Sequence, residues 1–474
     1  MGDYVEFVRP SLPPLPGLIK LPPLDQLATN RYVYAFMFAF SLPSLHAKED
    51  AVFELSAGLQ ATLDEMPFLA ANIVADDTVR GSIQLEIPED DNVGIKFHVK
   101  DMSNLYWNDL AKSGFPTAQL RADEFTAEPR FMSERTPVLT VQANFITGGL
   151  LLAINFNHAV FDGHSVLTLL TRWAKHTATA ATGNLLPLED RLLRATSDRL
   201  MLFRGHNTMA LSEFPYYRAH TYSEGPKDYL LNKSHGLTHS DYDVAFWRPT
   251  DESLVELERL VCGARGSKFS TNAFVGAFIW QRVTKARQLS ARGEATTSFL
   301  FPVNVRDILV PSLPPTQIGN IIVGARATAS VADMEASGPE FLYTLAERIT
   351  EAKNWWTSDR VLAWMGAWNA CPDLIKDSLH FDTNLDTFLG TDIVLTNMSS
   401  TQFNLDWGST LGRIKALRPT SFPSVDGIVS LLVRFDGKGL EFAMGFATET
   451  MKRLAEDELW IKMMTLVCSE QLGD

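Results

Sequence analysis

The stretch 137–163, PVLTVQANFITGGLLLAINFNHAVFDG, constrains this chain more than any other. Two apolar runs, Val138–Phe145 and Leu150–Phe156, meet at Gly148-Gly149. Each run has the length of a strand, and glycines between such runs signal a hairpin, because glycine reaches the positive φ of tight turns without a Cβ clash. The second run ends at Asn157-His158. Asp162-Gly163 follows, and then Ser165–Ala180 carries Leu167, Leu170 and Trp173 on one side of an expected helix. A histidine placed where a strand ends and a helix begins can project into a cleft from a rigid backbone.

Strand and helix signals alternate along the rest of the chain. Tyr32–Phe40, YVYAFMFAF, is a continuous aromatic-rich apolar run whose length suits a buried strand. Residues 50–66 place Leu55, Leu59, Leu63 and Met66 at helical spacing and stop at Pro67. Shorter strand patterns lie at 83–87 and 95–99. The opening, with Pro10, Pro13, Pro14, Pro16 and then LPPLD at 21–25, reads as an extended surface segment. Between 195 and 240 periodicity fades, as in a long crossover. Beyond it helices are expected near 250–262, over Thr271–Arg287 and within 338–368. Strands are expected at 298–303, 321–327, 392–395, 427–435 and 440–446, before a last helix near 448–470. The pattern predicts two α/β lobes, residues 1–195 and 241–474, joined by a crossover at 196–240 and meeting at a cleft.

Composition narrows the function classes. Of 474 residues, 46% are hydrophobic and 21% charged, an ordinary globular balance that argues against disorder and coiled coil. The net charge of -14 argues against a nucleic-acid partner, since no basic stripe offsets it. Cys262, Cys371 and Cys468 are too few and too scattered for a disulfide framework or a zinc ribbon. They fit a reducing compartment, and with no signal-peptide pattern at MGDYVEFVRP the expected location is cytoplasmic. No apolar run approaches the ~18 residues of a membrane span.

The chemistry-bearing motif is His158-Ala159-Val160-Phe161-Asp162-Gly163. Chance gives roughly 0.04 such HxxxDG matches in a chain of this composition, so the pattern is informative but not decisive. An imidazole titrates near neutrality, so His158 suits general-base work on an alcohol or amine attacking a carbonyl. Gly163 and the preceding strand argue against a helical 158–162, so Asp162 need not touch the ring. It can pair with a cation and lock the loop. A purely structural reading, with His158 closing a strand and Asp162 capping the next helix, also fits these residues. No metal is expected, because no third ligand has recognisable spacing. Gly163-His164-Ser165 lacks the closing glycine of a nucleophile elbow, and Gly263–Lys268 has the wrong spacing for a phosphate loop.

Taken with its neighbours, the motif resembles that of the BAHD-type acyltransferases, coenzyme-A-dependent enzymes of plant and fungal specialised metabolism. Gln142, Gly148-Gly149 and Trp173 match within the motif region, as does the proline-rich PSLPPLPGLIKLPPLD upstream, together with LDEMPFLAA. Downstream, Phe269-Ser270-Thr271 through Trp280, VNVRDILVPSLPPTQIGN (303–320) and Val425-Asp426-Gly427 also match. Asp406-Trp407-Gly408 stands at the family's DFGWG box, whose second half is replaced here by Ser409-Thr410. Thr396-Asn397-Met398 stands where the plant enzymes often have Thr-Ser-Trp. Both departures point to the fungal branch, the trichothecene 3-O-acetyltransferase-like enzymes.

The resemblance implies two chloramphenicol-acetyltransferase-like lobes with a solvent channel between them, and a segment near 380–405 crossing to the N-terminal lobe. His158 is then the base, Asp162 a structural partner of Arg306, and Gly163, Asp406 and Gly408 are structural residues shaping the site. Thr396 and Ser399 are oxyanion candidates. Arg265, Ser267, Lys268 and Ser270 precede a helix start and are candidates for the phosphates of coenzyme A. Acyl-CoA, most simply acetyl-CoA, is expected as co-substrate with no permanently bound cofactor. The partner is a small-molecule alcohol, and the expected state is a monomer. Two other functions compete. A condensation-type enzyme taking acyl groups from a carrier protein typically has two adjacent histidines, whereas Asn157 precedes His158 here. A binding or cyclisation protein would reuse the cleft without acyl transfer.

Overall fold

The computed structural model describes residues 2–27, 33–42, 47–89, 93–127, 134–184, 187–188, 199–215, 217, 241–263, 268–378, 381, 390–398, 403–420, 426–434 and 439–470. Two large sheets organise these residues. A six-stranded sheet runs Tyr4–Val8, Ile95–Tyr106, Leu139–Thr147, Gly149–Asn157, Val33–Ser41, Ala416–Pro419. A seven-stranded sheet runs Ile322–Ser330, Thr296–Asn304, Ile393–Asn397, Ile428–Val433, Leu440–Ala447, Tyr242–Arg248, Thr465–Ser469. A four-stranded sheet of Gly17–Lys20, Ser82–Ile87, Asn72–Asp76 and Thr136–Pro137 completes the first lobe.

The motif hairpin forms as its sequence demands. Leu139 pairs with Phe156 and Ile146 with Gly149, and every residue from Leu139 to Ile146 is buried. Gly148 has φ +86°, and a Cβ on Gly149 would lie 2.4 Å from the Trp107 ring, so both positions need glycine. The helices Ala47–Glu65 and Gly163–Ala180 pack together in this lobe, tied by Trp173 Nε1 donating to the Leu55 carbonyl at 3.0 Å. In the second lobe, helix Thr271–Arg287 buries nearly all of its side chains, which explains its all-round apolar sequence.

Three expectations change. The final segment is not one helix. Helix Thr448–Glu456 ends at Asp457, whose carboxylate accepts from Trp460 N at 2.8 Å and caps a second helix, Glu458–Met463. Thr465–Ser469 then forms an edge strand on Tyr242–Arg248, in keeping with its β-branched Thr465 and Val467. The opening is more than an extended surface segment: Tyr4–Val8 and Gly17–Lys20 add strands to two different sheets, because their unpaired backbones complete sheet edges. The segment expected to cross near 380–405 meets the first lobe only at its end, and the stretch against that lobe continues to 419. Ile393–Asn397 stays in the seven-stranded sheet, parallel to its two neighbours. Phe403, Trp407, Leu411 and Ile414 bury in the first lobe's core, and Ala416–Pro419 pairs with Val33–Ser41. A buried ion pair, Arg418 Nη1 to Glu441 Oε1 at 2.6 Å, ties this swapped strand to the second lobe. Of the crossover at 196–240, only 199–215 and 217 are among the described residues.

Candidate active site

Asn157 makes the turn that presents His158. Its Oδ1 accepts from Ala159 N at 3.0 Å, and its carbonyl accepts from Val160 N and Phe161 N at 3.0 and 3.2 Å. Ala159, Val160 and Phe161 bury completely in the first lobe, leaving the half-buried His158 turned toward the seam between lobes. The Tyr34 ring lies 5.1 Å from the imidazole, and its hydroxyl donates to the Phe161 carbonyl at 3.3 Å.

Asp162 does both things its sequence left open. Its Oδ1 accepts from Ser165 N at 2.8 Å and caps helix Gly163–Ala180. The same carboxylate takes a two-point grip from Arg306, Nη1 to Oδ2 at 2.7 Å and Nη2 to Oδ1 at 3.1 Å. Ile321 N also donates to Oδ2, at 3.0 Å. Arg306 Nη2 reaches Ser165 Oγ and the Gln317 and Gly319 carbonyls as well, at 3.1, 3.0 and 3.2 Å. Both members of the pair are 2% exposed, so this is a desolvated lock between the lobes. Burial alone would raise the Asp162 carboxyl, but Arg306 and the Ser165 hydrogen bonds outweigh it and hold the group below the usual carboxylate range.

Asn320, from the second lobe, sets the ring. Its Nδ2 donates to the His158 carbonyl, which leaves Oδ1 to face the ring Nδ1 at 3.1 Å. An amide oxygen accepts only, so Nδ1 carries the hydrogen, and the basic lone pair is on Nε2. Burial lowers the His158 pKa below its ordinary value, against the smaller raising effects of its own backbone carbonyl, Asp162 and Asn320. Burial thus favours the neutral imidazole, the form a base needs.

The other expected residues fall into two groups. A Cβ placed on Gly163 would lie 3.8 Å from Met398, so the end of strand Ile393–Asn397 reaches the motif. Thr396 on that strand is half-buried and donates to Ser430 Oγ at 3.3 Å. Ser399 lies outside the described residues. Asn397 Nδ2 bonds Asn272 Oδ1, which brings the start of helix Thr271–Arg287 to the same end of the strand. There Ser270 caps the helix, accepting from Ala273 N at 3.3 Å, and Lys268 is exposed; Arg265 and Ser267 lie outside the described residues. Asp406 and Gly408, by contrast, are not at this site. Trp407 is fully buried between Phe40 and Trp173, and a Cβ on Gly408 would lie 3.0 Å from Ala178 Cα. Helical rise puts Ala178 about 22 Å from Gly163. The box is structural because its tryptophan fills the first lobe's core at the far end of the helix. Among the described residues no group of three or more His, Cys, Asp or Glu is placed to hold a metal ion.

The sequence profile of the Transferase family, the BAHD-type acyltransferases, matches residues 4–458. The chain belongs to this family. It is an acyl-CoA-dependent acyltransferase. An acyltransferase of Emericella nidulans is 29% identical over 472 residues, covering 96% of each chain. The trichothecene 3-O-acetyltransferase of Saccharomyces cerevisiae is 24% identical over 455 residues, 90% of each chain. F. graminearum TRI101, solved with coenzyme A and deoxynivalenol, superposes with a TM-score of 0.79 at 19% identity, over 95% of this chain and 100% of its own. Vinorine synthase superposes at 0.63 and 17% identity, over 95% of each chain. The fold of this acyltransferase is thus the two-lobe, chloramphenicol-acetyltransferase-like one.

Sequence reasoning missed Asn320, Ser165 and Tyr34 as parts of this acyltransferase's candidate site. Asn320 stood in a matched Gly-Asn turn, but nothing in its local sequence says that the turn faces a histidine 162 residues away.

Proposed function

We propose that this acyltransferase moves an acetyl group from acetyl-CoA to a hydroxyl of a small specialised-metabolite acceptor, with His158 as general base and no acyl-enzyme. The observation that carries the proposal is the His158–Asn320 contact, which puts the basic lone pair on Nε2 in the seam between lobes. Nε2 takes the hydroxyl proton as the oxygen attacks the thioester carbonyl. The tetrahedral intermediate collapses with cleavage of the C–S bond, and the imidazolium returns its proton to the departing thiolate. A thioester is already activated, so no covalent step on the protein is required. Thr396 and Ser399 are proposed as donors to the oxyanion; Thr396 must first turn its hydroxyl from Ser430.

Coenzyme A is proposed to meet the start of helix Thr271–Arg287, where Lys268, Ser270, Arg265 and Ser267 combine cationic and hydroxyl groups with a helix N-terminus. The relatives' names support an oxygen acceptor and an acetyl donor. No helix among the described residues is long and apolar enough to cross a membrane. The protein is proposed to act as a cytoplasmic monomer without a nucleic-acid partner.

Incubating the protein with acetyl-CoA and a panel of fungal-metabolite alcohols, and following free thiol and product mass, tests this reading. Thiol release with an acetylated product is expected, and His158→Ala should lose turnover by at least about 10²–10⁴-fold while staying folded. Near-wild-type turnover in that variant would remove the proposed base.

A further inference from the structure

Two adjacent backbone N–H groups in the second lobe are each held by a different buried carboxylate. Ile321 N donates to Asp162, whose partner is Arg306. Asn320 N donates to Asp25 Oδ1 at 2.7 Å, and Asp25 Oδ2 takes Arg199 Nη1 at 2.6 Å. The first pair belongs to the motif. The second comes from the proline-rich opening and the crossover, and the reaction derived above makes no use of it. Asp25 is 0% exposed and Arg199 5%.

The second pair sits on a rigid mount. Asp25 lies in the short turn Pro23–Gln26. Gln26 fixes that turn to strand Ser82–Ile87, with Nε2 donating to the Ile83 carbonyl at 2.8 Å and Ile83 N donating to Oε1 at 2.9 Å. The Arg199 guanidinium lies over the Phe68 ring at 5.1 Å. One end of Asn320 is thus anchored to the first lobe through Asp25, and the other end brackets His158 at Nδ1 and at its carbonyl.

We propose that Asp25 and Arg199 are positioning residues for the reaction, fixing the Asn320 backbone so that its side chain holds the His158 ring in one tautomer and orientation. A buried ion pair is weak support for stability, because apolar residues of similar volume often serve as well. Here one carboxylate oxygen engages the guanidinium and the other holds the N–H of the residue that orients the base. Groups that orient metal-ligating side chains from behind change affinity or activity by about 10–100-fold when removed, and the low end of that range is the effect expected here.

This inference rests on His158 being the base, and its test reads the ring without needing acyl transfer. Carbethoxylation of His158 by diethyl pyrocarbonate, followed by peptide mass spectrometry over about pH 5 to 8, reports the ring's titration. Asp25→Leu/Arg199→Met removes the pair and the acceptor together, so no lone charge is left buried. With Asn320 loosened, the hydrogen bond that supports the imidazolium weakens, and the titration midpoint should fall by about half a pH unit or more. Turnover should fall about 10-fold with KM for acetyl-CoA unchanged. Asp25→Asn/Arg199→Gln keeps an acceptor facing Asn320 N and should restore both readings. If the leucine variant does not fold, Asp25→Ala/Arg199→Met, which leaves room for a water, carries the same expectation. A folded variant of either kind with the wild-type midpoint and turnover overturns the proposal. A shifted midpoint with unchanged turnover would instead support the hold on the ring and count against His158 as the base.

Discussion

Asp162→Asn keeps the shape of the side chain and removes one charge from the seam. The carboxylate accepts from Ser165 N at 2.8 Å, from Arg306 Nη1 and Nη2 at 2.7 and 3.1 Å, and from Ile321 N at 3.0 Å. If the asparagine oxygen keeps Ser165 N and Arg306 Nη2, its amide nitrogen faces Arg306 Nη1 and Ile321 N, donor against donor. The guanidinium, 2% exposed, then lacks its counter-charge. Breaking a buried pair from one side costs about 3–5 kcal/mol. At ~2.1 cal/mol/K of unfolding entropy per residue, a chain of 474 residues has roughly 1 kcal/mol/K, so Tm should fall by about 3–5 °C when the lobes unfold together. The pH dependence has a definite sign. The folded carboxyl titrates below its unfolded value of about 3.9, so the stabilisation is complete above that value and is lost as pH falls through the folded one. Calorimetry at pH 7 on wild type, Asp162→Asn, Arg306→Met and Asp162→Leu/Arg306→Met checks this. The double variant should lose much less than the sum of the single losses. Additive losses, or an unchanged Tm in Asp162→Asn, would refute the lock.

The base reading fixes the acid limb of the pH–rate profile: kcat/KM should fall only below the ordinary imidazole value of about 6.5, because burial favours the neutral ring. A limb at or above that value counts against His158. Lys268→Ala should raise KM for acetyl-CoA and leave KM for the acceptor alone; equal effects on both would remove Lys268 from the coenzyme site. Gly408→Ala forces a Cβ into the Ala178 backbone at φ +97°, so a loss of about 1–3 kcal/mol is expected in thermal unfolding, with turnover per folded molecule unchanged. A fall in turnover at constant Tm would return the box to the active site.

The elements that local patterns determine were legible. The hairpin 139–157 and helix Thr271–Arg287 appear where runs, glycines and helical spacing put them. The last segment was not legible as drawn, because Asp457 is both the stop of one helix and the cap of the next, and only pairing with Tyr242–Arg248 reveals the strand after it. The start of that helix was legible as a local signal, and Ser270 caps it as its place before Thr271 suggests. Asp406 and Gly408 were assigned to the site by resemblance, and the core position of Trp407 moves them away from it.

Of what joins the halves, only the Asp162–Arg306 pair was legible, and that through resemblance rather than spacing. His158 and Asp162 come from the first lobe, whereas Asn320 and Arg306 come from the second. Asp25 is held by a residue 174 positions later, and it holds one 295 positions later. No periodicity or spacing encodes a contact of that range; it exists only where the two lobes meet. The site's competence is therefore tied to docking. A hydrogen bond at 3.1 Å loses most of its strength if the partners separate by about 1 Å. The Asn320 contact therefore survives only while Arg306, Asp162, Asp25 and Arg199 hold the lobes in register. Two buried ion pairs thus flank the Asn320–His158 contact, because the ring's tautomer depends on a gap between lobes that neither lobe can set alone.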